Sequence, residues 1–237
     1  GETFGHHHEF AEMGLAAALD HLTADPGVRV ENFASFLARN PPQEEVRLVE
    51  PSAWSCAHGV ERWRAEGGCR ADTSEPSSQA WRAPLREALQ WLANRLHGVF
   101  EVEAGDLFGD PWGARDAYGT VPIDGGQPAR YAFVNEWAGC ALNDDERDRA
   151  VELLEMERDA LRLFTSCAWF FDDVARVEPR QVLTYAAHAL DLAGPSAAGI
   201  ADGFRERSAL AEANNPADGT AADIFDRLAG GQAPVVP

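Results

Sequence analysis

The chain runs to 237 residues, enough to bury a core in one large or two modest domains, and its 45% hydrophobic and 25% charged content is ordinary for a globular protein. Its 39 acidic against 20 basic residues leave a net charge of −19, a surface that repels phosphate backbones and anionic bilayers and so argues against nucleic-acid or membrane partners. All 20 of those basic residues are arginine, which excludes a lysine nucleophile, a Schiff base and a P-loop.

No apolar run approaches the roughly 20 residues that a membrane helix needs. Cys56, Cys69, Cys140 and Cys167 are too few for a disulfide scaffold and read as thiols of a cytoplasmic protein. The absence of lysine beside abundant Ala, Gly and Asp is the usage of a GC-rich bacterial genome.

In chain order, the first eight residues, Gly1-Glu2-Thr3-Phe4-Gly5-His6-His7-His8, are polar, aromatic and glycine-bearing at once, suited to lining a cleft rather than building a core. Phe10 to Leu22 predicts a helix, with Phe10, Met13 and Ala17 on one line and Leu15, Leu19 and Leu22 on another; Asp25-Pro26-Gly27 stops it. The alternation over 28–33 predicts a short strand, Ala34 to Arg39 a helical turn or two, and Arg47-Leu48-Val49 a second short strand. This α-then-β rhythm over residues 1–50 is that of the closing part of an α/β layer or barrel.

Trp54 to Cys69, rich in Gly, Cys, Trp and Arg, reads as an ordered loop with a helical turn, and polar Ala71 to Ser78 as a boundary. Domains are therefore expected over 1–70 and 71–237. Trp81, Leu85, Ala88, Leu89, Leu92 and Leu96 define an amphipathic helix ended by Gly98. Residues 99–128, with many Gly and Pro, hold at most short helices around Pro111 to Tyr118. Asp144-Asp145-Glu146 open a helix expected to reach about Phe171. Pro179 takes the first position of the next, which Gly194-Pro195 ends. Shorter helices follow near 196–213 and 221–228. The expected fold is mainly α: a remnant of a (β/α) barrel over residues 1–50, followed by an α-helical bundle.

Several clusters bear chemistry. His6, His7 and His8 suit cleft lining without metal, with a tag remnant or a solvated loop as the plain alternatives. Cys56, His58 and Cys69 are three soft ligands, but their spacing lacks the tight cysteine pair of structural zinc, so small buried thiols beside a buried histidine, and no metal, are expected. Glu61-Arg62-Trp63-Arg64 offers a flat ring beside guanidinium groups, able to stack on a sugar and bond its hydroxyls, or equally to form a surface ion pair. Trp169-Phe170-Phe171-Asp172-Asp173 sets three aromatics against two acids; adjacent carboxylates rarely aim at one atom, so the aromatics more readily close a helix bundle. Gly-x-Ser-x-Gly and glycine-rich phosphate loops are absent.

Gly1 to His7 resembles the fourth signature segment of glycoside hydrolase family 57, roughly Asp-x-Glu-x-Phe-Gly followed by His or Glu. Ser55 to Arg64 and Leu163 to Asp173 are similar to the helical domain of unknown function 3536, which follows a family 57 catalytic domain in a group of bacterial proteins; Trp81 to Leu92 and Asp110 to Tyr118 extend that resemblance. It implies a seven-stranded (β/α) barrel followed by a helical bundle, retaining hydrolysis or transfer at α-glucosidic bonds, and no cofactor. The family's acid aspartate would stand immediately before Gly1 and its glutamate nucleophile further upstream, so this chain alone is expected to lack both catalytic carboxylates. Glu2 would then be a supporting residue. Where the helical domain often shows Cys-Gly-Cys, this chain has Gly67-Gly68-Cys69, which weighs against zinc.

The expectation is thus the C-terminal part of an α-glucan-active glycoside hydrolase or glucanotransferase, with carbohydrate as partner. Glu2, Phe4, His6, His7, His8, His58, Trp63 and Trp169 would line its sugar cleft. The alternative is a non-catalytic helical module that binds a partner or a second copy.

Overall fold

A β-strand persists as part of a ladder, and among the described residues neither segment expected to be a strand joins one. The computed structural model describes residues 2–5, 8–53, 56–67, 69–70, 77–122 and 125–231, with the backbone alone for Glu2 and Thr3. Among them residues 28–32 and 47–49 are irregular. Among the described residues the only bridges, Phe108 with Ala138 and Glu212 with Thr220, are isolated. The barrel remnant is therefore not seen as strands: alternation alone, without a ladder partner, does not hold an extended segment.

The chain divides into two compact units, residues 1–50 and 51–237. In the first, α1 (Glu2–Gly5), α2 (Ala11–Ala24) and α3 (Phe33–Arg39) follow one another. Asn32 caps α3, its Oδ1 accepting from the Ser35 N–H at 2.8 Å. No described side chain of this unit is buried. Phe10, Met13, Leu15, Leu19 and Leu22 on and beside α2, and Phe33, Phe36 and Leu37 on α3, all present apolar surface.

The second unit is helical. Its apolar stripe makes α4 (Arg82–Ala104), on which Leu85, Ala88, Leu89, Leu92 and Leu96 are fully buried. Each buried leucine contributes about 2 kcal/mol relative to exposure. The helix does not stop at Gly98. Phe100 and Ala104 continue the same stripe and are also fully buried, which outweighs the roughly 1 kcal/mol a mid-helix glycine costs.

Then come α5 (Pro111–Ala117), α6 (Gly126–Trp137), α7 (Asp144–Arg162), α8 (Val177–Ala193), α9 (Ile200–Ser208) and α10 (Ala221–Ala229). α7 begins as its sequence says: Asn143 and Glu146 exchange side-chain and backbone bonds in a capping box behind three first-turn acids. It ends at Arg162, short of Phe171, because Thr165 turns extended and a 3-10 turn over Ser166–Trp169 takes over. Pro179 lies in the first turn of α8, which closes on Gly194 at φ 59°, a left-handed conformation that favours glycine.

α7 packs along α8; α4 packs on α7, α8 and α9; α10 covers α8 and α9. Trp81, Phe100, Trp169, Phe204 and Phe225 fill the centre. Residues 51–70 fall within this second compact unit. No helix among the described residues is long and apolar enough to cross a membrane.

Candidate functional site

The loop before α4 brings together three of the singled-out residues. A 3-10 turn over Gly59–Trp63 starts where the Gly59 N–H bonds the Cys56 carbonyl at 3.1 Å, with Gly59 at φ 65°. The turn packs against α4 and the Ser166–Trp169 turn. Arg62 anchors it: the residue is buried and its guanidinium lies 4.4 Å over the Phe170 ring.

Cys69 thereby approaches from the far side of the loop. Its Sγ stands 2.9 Å from Cys56 Sγ and 2.8 Å from His58 Nδ1, with Cys56 Sγ and His58 Nδ1 3.8 Å apart. Cys69 is buried, Cys56 half-buried and His58 exposed. The histidine expected to be buried thus faces solvent. The hydrogen bond from the Cys69 thiol holds Cys56 down to about 7, His58 and the charge of Arg62 adding to it against the opposing effect of burial. Cys69 is pushed up, first by burial and then by its bond with Cys56, while Arg62 works the other way.

Behind the loop lies a buried cationic and aromatic layer. Arg82 has no exposed surface; one guanidinium nitrogen donates to the Phe171 carbonyl at 3.3 Å, and its Nε and Nη1 have no hydrogen-bond partner. Burial, and then the like charge of Arg62, pull it below its usual value.

Trp169, expected to contact sugar, has no exposed surface and stacks on Trp81 with centroids 5.9 Å apart. It is a core residue, as the aromatic run of the Trp169–Phe171 segment allowed. The two acids that follow aim apart. Asp172 accepts from Gln79 Nε2 at 3.0 Å, and Asp173 accepts from the Ala175 and Asn214 N–H groups, each at 2.7 Å. They bind chain segments together and do not form a pair around one atom. Trp63 is half-buried against the core at the edge of the loop.

The other expected residues fall in the first unit. Phe4 is 41% exposed and His8 is exposed. Glu2 stands in α1, and His6 and His7 lie outside the described residues. Phe10, directly after this motif, is held at φ 59°, a left-handed conformation rare for a bulky residue.

A second feature was not anticipated. A cleft of about 300 Å³ opens between α5, α6 and α7, lined by Tyr118, Arg130, Glu155 and Arg158 over an apolar floor that includes Leu154 and Pro122. The Tyr118 hydroxyl donates to Glu155 at 2.6 Å, and burial, then that bond, raises its ionisation well above the usual phenol range. Arg130 and Arg158 reach the same carboxylate at 3.4 and 3.2 Å. Only the Glu155/Arg158 spacing was a signal; the other two groups arrive from separate elements.

Deeper in α7, Glu157 has no exposed surface and takes His97 Nδ1 at 2.8 Å with Arg115 Nε at 3.5 Å; Asp159 takes His188 Nδ1 at 2.5 Å with Arg162 Nη1 at 3.0 Å.

Residues 78–233, more than half of the chain, match the family model described as Domain of unknown function (DUF3536). No curated protein and no solved structure matches.

Proposed function

The chain belongs to the DUF3536 family, and on that premise we propose that it is the helical part of a bacterial, cytoplasmic, α-glucan-active glycoside hydrolase or glucanotransferase of family 57 type. The observation that carries the reading is the conjunction of that family's helical domain with the Glu2-x-Phe4-Gly5-His6 motif ahead of it. Two physical features support it. The first unit exposes apolar faces of α2 and α3, as a segment does when further chain completes its core. The helical unit carries a cleft of about 300 Å³ in which guanidinium and phenol donors surround a carboxylate above leucine and proline, chemistry suited to a sugar ring.

In this reading Glu2, Phe4 and the histidines stand beside the acid, and His58 and Trp63 add sugar contacts; Trp169 does not. The reading calls for a retaining pair of carboxylates. Catalysis would need both, about 5 Å apart, one attacking the anomeric carbon while the other protonates the leaving oxygen.

Product analysis on maltohexaose tests this, comparing the gene's whole translated product with the 237-residue chain. The whole product should release shorter and longer oligosaccharides, lose that activity when an aspartate immediately before Gly1 is changed to asparagine, and leave the chain alone silent. Absence of any product, or equal activity of the asparagine variant, would overturn the reading.

A further inference from the structure

The Cys56, His58 and Cys69 side chains converge in a way that the packing of the helices does not use, and of the three the sugar reading calls only on His58. Their donor atoms all lie within 4.8 Å of one another, two thiols and one imidazole nitrogen. We propose that Cys56 Sγ, Cys69 Sγ and His58 Nδ1 bind one zinc-class divalent ion, leaving the fourth position of its tetrahedron to water.

The donor set decides the kind of ion. Two sulfurs and an imidazole suit a borderline-soft metal such as Zn²⁺, whereas calcium and magnesium need oxygen ligands, and no carboxylate joins this cluster among the described residues. Edges of 2.8, 2.9 and 3.8 Å leave the triangle too small to hold an ion in its plane at metal–ligand distances of about 2.0–2.3 Å. Tetrahedral angles at those lengths need donor–donor edges of about 3.5–3.8 Å, so the ion caps one face of the triangle as Cys69 draws back by some tenths of an ångström from the other two donors. Cys69 is buried and His58 exposed, so one side of the cluster meets protein and the other meets solvent. Three protein ligands and one water is the arrangement of zinc sites that keep an exchangeable position.

The surroundings bring the three donors together. Arg62 fixes the loop through Phe170 and donates toward the Cys69 sulfur. Arg82 adds a second buried positive charge behind the pair, which favours the anionic donors a metal requires. The two cysteines are thirteen residues apart, so the ion would also close the loop between them and tie it to the helical unit.

The experiment uses zinc and its spectroscopic substitute cobalt with the reduced 237-residue chain, in a background where His6, His7 and His8 are changed to alanine so that the histidine run binds no ion. One Co²⁺ per chain should give the thiolate-to-metal charge-transfer band and the intense visible bands of tetrahedral coordination. Zinc should displace it at the same stoichiometry, seen by native mass spectrometry. C56S, C69S and H58N should each weaken binding by more than the roughly 10- to 100-fold typical of changes outside the ligand sphere, while C140S and C167S leave it unaltered. Circular dichroism checks that each variant keeps its helices, and H58N, at an exposed position, serves even if a cysteine variant unfolds. Three results would overturn the proposal: no charge-transfer band in the reduced chain, undiminished binding by the folded H58N variant, or a Cys56–Cys69 disulfide whose reduced form takes up no metal.

Discussion

Glu157 is a carboxylate with no contact with water on a helix whose first turn is crowded with acids. Its burial is sustained by two partners from other helices, His97 on α4 and Arg115 on α5. Removing the carboxylate takes the hydrogen-bond partner from His97, which is a third exposed, and the nearby charge from Arg115, which keeps Asp116. Glu157→Ala is therefore expected to lower stability by about 1–3 kcal/mol in denaturant titration, and an unchanged midpoint would show that the pair contributes nothing. Nothing at this scale was readable beforehand. Glu157 lies one position along from Met156 and looks like any surface acid of a charged helix. Only the arrival of His97 from sixty residues away makes it a core residue.

At the scale of elements, two glycines make opposite predictions. Gly98 lies inside α4 with nothing within 4 Å of where a Cβ would stand, so Gly98→Ala should stabilise the protein by about 1 kcal/mol through helix propensity. Gly203 on α9 meets the Trp91 ring of α4 at 2.4 Å from that position. Gly203→Ala should therefore cost about 1–3 kcal/mol by displacing the Trp91 ring from its seat on α9. Thermal unfolding of the pair, shifting in opposite directions, checks both.

The capping box of α10 adds a pH dependence. Bonds from the Thr220 backbone N–H and then its hydroxyl hold the Asp223 carboxyl below the usual carboxylate range. A depressed folded value means the contribution is complete above the ordinary aspartate value of about 3.9 and is lost as pH falls through the lower folded one. Thr220→Ala should cost about 1 kcal/mol at neutral pH, and the gap to wild type should narrow on acidification below that value; a gap constant with pH would contradict the assignment.

Legibility followed the same physics. α4, α7, α8 and α10 were readable because their buried residues recur at helical spacing, with capping boxes at the start of α7 and α10. α6 was missed because Gly125, Gly126 and Pro128 make its start look like loop and only Phe133 and Val134 of it are buried. The two expected strands failed because alternation reports a possible face and not a partner.

At the scale of the molecule, burial is concentrated in the second unit and absent from the described first. Hydrogen exchange should accordingly find α4, α7 and α8 slow and residues 8–50 fast; comparable protection in both would mean that the first unit's apolar faces are covered in solution. The chemistry of the candidate site was half legible. The residue types Cys56, His58 and Cys69 stood out, but their convergence depends on Arg62 meeting Phe170 from more than a hundred positions away, which no local spacing encodes. Trp169 was misplaced for the same reason: an aromatic beside acids reads alike whether its ring faces a ligand or another tryptophan.

The account's central claim is that this chain contributes sugar-contacting residues, and the most direct measurement is an NMR titration of the isotopically labelled 237-residue chain with maltohexaose. Saturable shifts at residues 2–8 and at His58 to Trp63 are the predicted result. Amides at both places that stay unmoved through the titration would contradict it.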